Sequence, residues 1–131
     1  MISLLLFLLI LLIRYFGLLG MAYLWLNNYT FSKRPDFQPF VSVIVPVYNE
    51  GILLKDAIVS LLELDYSNYE IIVVNDGSTD NTYDVAKTMV GYQQGVYGKV
   101  KVSLISKPNG GKARALNAGI SYSKAEIVLC M

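Results

Sequence analysis

The stretch Ile71–Asn81, Ile-Ile-Val-Val-Asn-Asp-Gly-Ser-Thr-Asp-Asn, restricts the fold more than any other part of the chain. Four consecutive β-branched residues make a strand buried on both faces, as in the interior of a parallel sheet. Asn75, Asp76 and Gly77 are turn formers that stop it. Ser78 and Thr79 then read as N-cap residues, and Asp80 as an acid in a first helical turn. In α/β folds such a strand–turn–helix junction lies at the carboxyl edge of the sheet, where ligands bind, and it aims the Asp76 carboxylate into the crevice. On local sequence alone, a plain turn followed by a cap reads equally well.

The neighbouring segments repeat the pattern. Val41–Val47 is a strand closed by a turn, Tyr48–Gly51. Ile52–Leu64 follows as a helix with Leu54, Ile58, Leu61 and Leu62 on one stripe. The central strand opens at Tyr69, and Thr82–Val90 forms the next helix. Gly91–Lys99, with three glycines, reads as a loop. Val100–Ser106 is a third strand, Lys107–Gly111 a turn, and Lys112–Ser123 a helix with Ala113, Leu116 and Ile120 inward. Glu126–Met131 begins a fourth strand. The expected fold is therefore α/β, with a parallel sheet of about four strands, right-handed crossovers and flanking helices.

Parallel βαβ units place every strand-to-helix turn on one sheet edge. The turns Tyr48–Gly51, Asn75–Asp80 and Lys107–Lys112 are thus expected to gather there. They carry Glu50, Asp76, Lys112 and several glycines beside helix N-termini. Glycines let backbone N–H groups approach a ligand, and helix N-termini favour phosphate. A carboxylate accepts hydrogen bonds from a nucleobase imide or from ribose hydroxyls. A cation in a first helical turn opposes the helix dipole, so Lys112 calls for an anion nearby. The cluster reads as a nucleotide site, in which Asn109 and Asn117 are turn and capping groups.

With 131 residues the chain holds one domain at most, and its net charge of +1 favours neither acidic nor basic partners. No basic cluster with interleaved aromatics is present, which argues against nucleic acid. The single cysteine, Cys130, lies in an apolar run and is expected to be a small buried hydrophobe. With no histidine, acid–base work falls to Asp, Glu, Lys or Tyr, and no Cys/His set exists for zinc.

The apolar excess is concentrated at the amino terminus. Ile2–Leu26 is apolar all round except for Ser3 and Arg14, and as a helix of about 37 Å it spans a bilayer. Arg14 costs about 2.5–3.5 kcal/mol at mid-membrane, which the surrounding Leu, Ile and Phe residues offset. It either snorkels or faces a partner helix. Nothing basic precedes the run and no Ala-x-Ala site follows it, which favours an uncleaved anchor (1–26) over a signal peptide. Tyr23, Trp25 and Tyr29 fit an interfacial aromatic belt, and Lys33 and Arg34 beyond it place the folded part in the cytoplasm. Residues 27–40, with Pro35 and Pro39, read as a linker to a domain over 41–131.

Known phosphate loops fail on this sequence. Walker A would require a glycine at Ser106 and a hydroxyl residue at Ala113, and no Gly-x-Gly-x-x-Gly follows the first strand. No serine nucleophile elbow is present. However, three blocks together resemble family 2 glycosyltransferases: Val45-Pro46-Val47-Tyr48-Asn49-Glu50, then Asp65-Tyr66 leading into Glu70–Thr82, then Asn109–Gly119. The closest likeness is to membrane-bound processive synthases of the cellulose, chitin, hyaluronan and poly-N-acetylglucosamine type, and it covers about Val41 to Met131. The resemblance implies a GT-A (Rossmann-like) fold whose first half binds a nucleotide-sugar, most often a UDP-sugar. Tyr48 and Glu50 would line the nucleoside pocket, Asp76 would hold uracil or ribose, Gly77 would leave room for it, and Lys112 would sit near ribose or phosphates. Many relatives have Asp where this chain has Asn75.

The resemblance also implies partners: a nucleotide-sugar donor, a glycan or lipid acceptor, and the membrane. A divalent metal, Mg or Mn, is expected of the complete enzyme. The family's Asp-x-Asp motif, its general base and its Gln-x-x-Arg-Trp signature would all follow Met131. The chain is accordingly expected to be the donor-binding, amino-terminal part of a longer enzyme, with no catalytic residue and no metal ligand of its own. Two alternatives stay open. One is a non-catalytic membrane protein with a vestigial nucleotide site. The other is a nucleotidyltransferase-like domain, which would want a Gly-rich basic loop where this chain has Tyr48-Asn49-Glu50.

Overall fold

A computed structural model describes residues 2–28 and 37–131. The chain divides into two compact units, Met1–Phe37 and Gln38–Met131. The first contains one helix, α1 (Ile2–Asn28). Its described side chains are exposed from Ser3 to Trp25, and this segment is long and apolar enough to cross a membrane. The helix runs through Asn27 and Asn28, where the sequence suggested a linker. Tyr29, Lys33, Arg34 and Pro35, and with them most of that linker and the basic flank, lie outside the described residues.

The second unit is a sheet with helices on both faces. In chain order it comprises β1 (Val41–Val47), α2 (Gly51–Leu62), β2 (Tyr69–Asp76), α3 (Thr82–Thr88), β3 (Gly91–Gly95), β4 (Gly98–Lys107), α4 (Lys112–Tyr122) and β5 (Ile127–Cys130). The strand order is β3-β4-β2-β1-β5. β4, β2, β1 and β5 are mutually parallel, as the alternation of strand and helix requires. All eight residues of β2 are buried, which accounts for its unbroken apolar run.

The sheet departs from expectation at one edge. Gly91–Gly95 is not a loop but a strand paired antiparallel with β4, from Gly91 opposite Val102 to Gly95 opposite Gly98. The sheet is therefore mixed and has five strands rather than four. Gly-Tyr-Gln-Gln-Gly shows no apolar alternation because an exposed edge strand has little to bury; backbone pairing with β4 and a Gln93 Nε2 bond to Met89 O at 3.0 Å hold it.

Period-two alternation divides the core between the two faces of the sheet. On one face Val43, Val45, Val47, Ile71 and Val73 pack against Leu54, Ile58, Leu61 and Leu62 of α2 and Ala86 of α3. On the other, Ile44, Ile72 and Val74 meet Ala115 of α4. The fully buried residues of α4 are Ala115 and Gly119; of the expected stripe Leu116 packs against the sheet, while Ala113 and Ile120 are exposed. The cause is close packing: a Cβ on Gly119 would stand 2.4 Å from Ile44 Cγ2, so a small residue is required there. Cys130 is exposed rather than buried, because β5 is the opposite edge strand and most of its side chains are exposed.

Candidate functional site

The three turns meet at the carboxyl edge of the sheet, and the central one fastens both of its neighbours. On the β1 side, Asn49 takes a left-handed φ of 54°, which Asn tolerates better than most residues. Its side-chain Oδ1 accepts from Thr79 N at 2.8 Å, and its backbone N–H donates to Ser78 Oγ at 3.0 Å. Glu50 N donates to Thr82 Oγ1 at 2.9 Å, and Gly51 N to Asp80 Oδ2 at 3.3 Å. Two of the otherwise orphaned amides at the start of α2 are therefore satisfied by Asp80 of the central turn and by Thr82, the first residue of α3.

This revises the expected roles of Ser78 and Thr79. Neither caps α3, which starts at Thr82 behind Asn81 without a cap bond from the Asn81 side chain. The hydroxyl of Ser78 and the backbone N–H of Thr79 serve the first turn instead, whereas the Asp80 carboxylate accepts both from Gly51 N at the start of α2 and from Thr82 N, the first amide of α3, at 2.9 Å. The Asp80 carboxyl is held below the usual carboxylate range by the Thr82 hydroxyl and the Thr82 and Gly51 amides.

On the β4 side, Asp76 makes the fastening. It is 3% exposed, at the last position of β2 and in register with Lys107, the last residue of β4. The Lys107 ammonium donates to Asp76 Oδ1, the only ion pair among the described residues. Gly110 N donates to Oδ1 at 3.0 Å and Gly111 N to Oδ2 at 2.7 Å. Lys107 first, with the two glycine amides, lowers the Asp76 pKa against an opposing effect of burial. Asn75 stays neutral: its Oδ1 accepts from Ser78 N and its Nδ2 donates to Ser106 Oγ, which bridges β2 and β4.

Gly77 acts through geometry. Its φ is +68°, and a Cβ there would lie 2.6 Å from Asn109 N. The space it leaves is taken up by the third turn.

The turns enclose a cleft of about 480 Å³. Tyr48 and Glu50 come from the first turn, Asp76 from the second, and Asn109, Gly111 and Lys112 from the third, with Pro46, Val47 and Ala115 completing the lining. Four of the five residues singled out from sequence thus share one cavity, while Gly77 stands behind the wall. Asn109, read as a turn residue, is in the lining. Tyr48 is 47% exposed and lines the cleft. Lys107 ends β4 rather than opening the third turn as its sequence context suggests. The available signal was a buried Asp in register with it, since a buried carboxylate needs a cation or several donors.

The cleft is lined by apolar residues, a tyrosine, one buried and one exposed carboxylate, and a helix start with a lysine. That combination suits a ligand with a flat polar ring and an anionic group. No group of three His, Cys, Asp or Glu side chains gathers among the described residues, and both Asp76 oxygens already accept internal hydrogen bonds.

A sequence profile described as Glycosyl transferase family 2 matches residues 42–131, the whole sheet and all three turns. The chain belongs to glycosyl transferase family 2. Among family relatives, an uncharacterized glycosyltransferase of Rickettsia typhi is 44% identical over 94 residues, which are 72% of this chain and 27% of that protein. The chondroitin synthase of Pasteurella multocida is 37% identical over 86 residues, 66% of this chain and 8% of the synthase. Among solved structures, the mannosyltransferase PcManGT of Pyrobaculum calidifontis, in complex with GDP-Man and Mn2+, superposes with a TM-score of 0.59 at 30% identity, covering 88% of this chain and 34% of that one. The fold is GT-A-like. The chain spans about a quarter of the length of its Rickettsia relative.

Proposed function

We propose that this chain is the donor-binding portion of a membrane-anchored family 2 glycosyltransferase that transfers a sugar from a nucleotide-sugar, a UDP-sugar, to a glycan or lipid acceptor. The observation that carries the reading is the convergence of three turns, far apart in sequence, on one cleft lined by Tyr48, Glu50, Asp76 and Lys112. The nucleoside lies against Tyr48. Asp76 accepts from the base imide or the ribose, Glu50 lies at the nucleoside's edge, and Lys112 with the start of α4 faces the diphosphate. Gly77 contributes by admitting the third turn. That PcManGT is described with GDP-Man and a chondroitin synthase is among the relatives supports a nucleotide-sugar donor and a glycan product.

Ser3–Trp25 is the anchor, and the sheet unit lies on the cytoplasmic face, where nucleotide-sugars would reach it. The divalent ion expected of the complete enzyme, Mg or Mn, finds no ligand set in the cleft, and no step here runs through it.

The test is calorimetric titration of the full chain, in detergent, with UDP and UDP-sugars, with and without manganese. Wild type should bind UDP. Asp76→Ala should weaken binding at least about tenfold, the scale of one lost charged hydrogen bond, and Tyr48→Ala about twofold to tenfold, the scale of one lost stacking contact. Undiminished binding by Asp76→Ala would remove the central assignment. Tyr48→Ala, in an exposed position, keeps the test meaningful if Asp76→Ala unfolds.

A further inference from the structure

We propose that Arg14 marks a seam on α1 that docks a second transmembrane helix carrying an Asp or Glu at mid-depth. The inference rests on the membrane-spanning reading of Ser3–Trp25. Arg14 lies eleven residues from either end of that segment, at its midpoint. At 1.5 Å per residue each end is about 16 Å away, half the thickness of a bilayer core. The three methylenes of an arginine stem do not cover that distance, so snorkelling to a headgroup would require the bilayer to deform.

Among the described residues Arg14 has no ion pair. Ile2–Asn28 contains no Asp or Glu, so neither its own helix nor that of a second copy supplies a counter-charge. Charge complementarity therefore selects a different helix, one bearing a carboxylate. The seam is built for close approach. Phe7, Ile10, Arg14, Gly17 and Met21 succeed one another at spacings of three and four and share a face. Gly17 has open space where a Cβ would stand, which lets a partner backbone come near the guanidinium.

The test uses the full chain labelled with a fluorescent donor on Cys130, its single, exposed cysteine, in vesicles of zwitterionic phosphatidylcholine. The probes are acceptor-labelled polyleucine helices with Asp, or Leu, at the central position. Energy transfer should report association about threefold to thirtyfold tighter with the Asp helix than with the Leu helix, the range of interhelical polar contacts in bilayers. Arg14→Leu should reduce the Asp helix to the Leu level, and Arg14→Lys should retain part of the preference. Equal association of the two helices with wild type, or an unchanged preference in Arg14→Leu, would overturn the proposal. Carbonate extraction of the same vesicles separates the two levels of failure: a chain that washes off was never integrated, which overturns the anchor itself, whereas an integrated chain without preference overturns only the role of Arg14.

Discussion

Asp76 stands where three donors already converge. A carboxylate offers about four lone-pair positions. With Lys107, Gly110 and Gly111 in place, about one remains for a ligand, so the nucleoside is expected to meet Asp76 through a single N–H or O–H. The same donors set its response to acid. Its folded pKa is lowered, chiefly by Lys107, so its ionised form stabilises the fold above the unfolded value of about 3.9, and that contribution is lost as pH falls through the folded value. Lys107→Met removes the largest cause. In that variant the carboxyl carbon of Asp76, followed by NMR, should titrate at higher pH than in wild type; an unmoved midpoint would show that the two glycine amides suffice. Gly77→Ala should destabilise the chain by roughly 1–3 kcal/mol in denaturant titration, because it combines a left-handed backbone with a clash against Asn109.

The helices matter to the cleft through where they start. The start of α2 is held by groups from the neighbouring turn rather than by a cap of its own. Thr82→Val keeps the buried shape but leaves the Glu50 amide without its acceptor. A loss of about 1–2 kcal/mol is expected, with faster hydrogen exchange at Glu50 and Gly51 before any change at β2. At α4 the contact with the sheet runs through Gly119. Gly119→Ala pushes Ile44 and the helix apart and should cost roughly 1–3 kcal/mol. Because Lys112, Gly111 and Ala115 ride on that helix and its cap, UDP affinity should fall as well. Full UDP affinity in a destabilised Gly119→Ala chain would detach the cleft from the seating of α4.

The two units divide the chemistry of the chain. Every residue in the two apolar clusters comes from Gln38–Met131, so the sheet unit has a core without help from α1. Residues 38–131 alone are therefore expected to keep slow hydrogen exchange across β1, β2 and β4 and to bind UDP with the affinity of the full chain. A sheet that exchanges freely without α1 would mean that the two units depend on each other. The apolar side chains of Ile127 and Leu129 on the β5 edge remain exposed in that unit and favour self-association at high concentration.

Much of this protein follows from local pattern. Ile71–Val74 could only be an interior strand, the 3.6-residue stripe of α2 is matched residue for residue, and three polar turns between parallel strands have to lie on one edge. Those conclusions need only periodicity and the handedness of βαβ connections. Other features depend on groups that meet only when the chain is folded. The strand β3 exists because β4 offers it backbone partners, not because its side chains are apolar. Ser78 accepts from the Asn49 amide of another turn, and Asp80 from the Gly51 amide of another helix as well as from Thr82 of the helix that follows it. Asp76 finds Lys107 through strand register, and Gly77 and Gly119 are glycines because a distant backbone and a distant isoleucine approach them. Hydrogen-bond demand and steric exclusion act between segments about thirty to seventy-five residues apart, and no window of neighbouring residues contains that information.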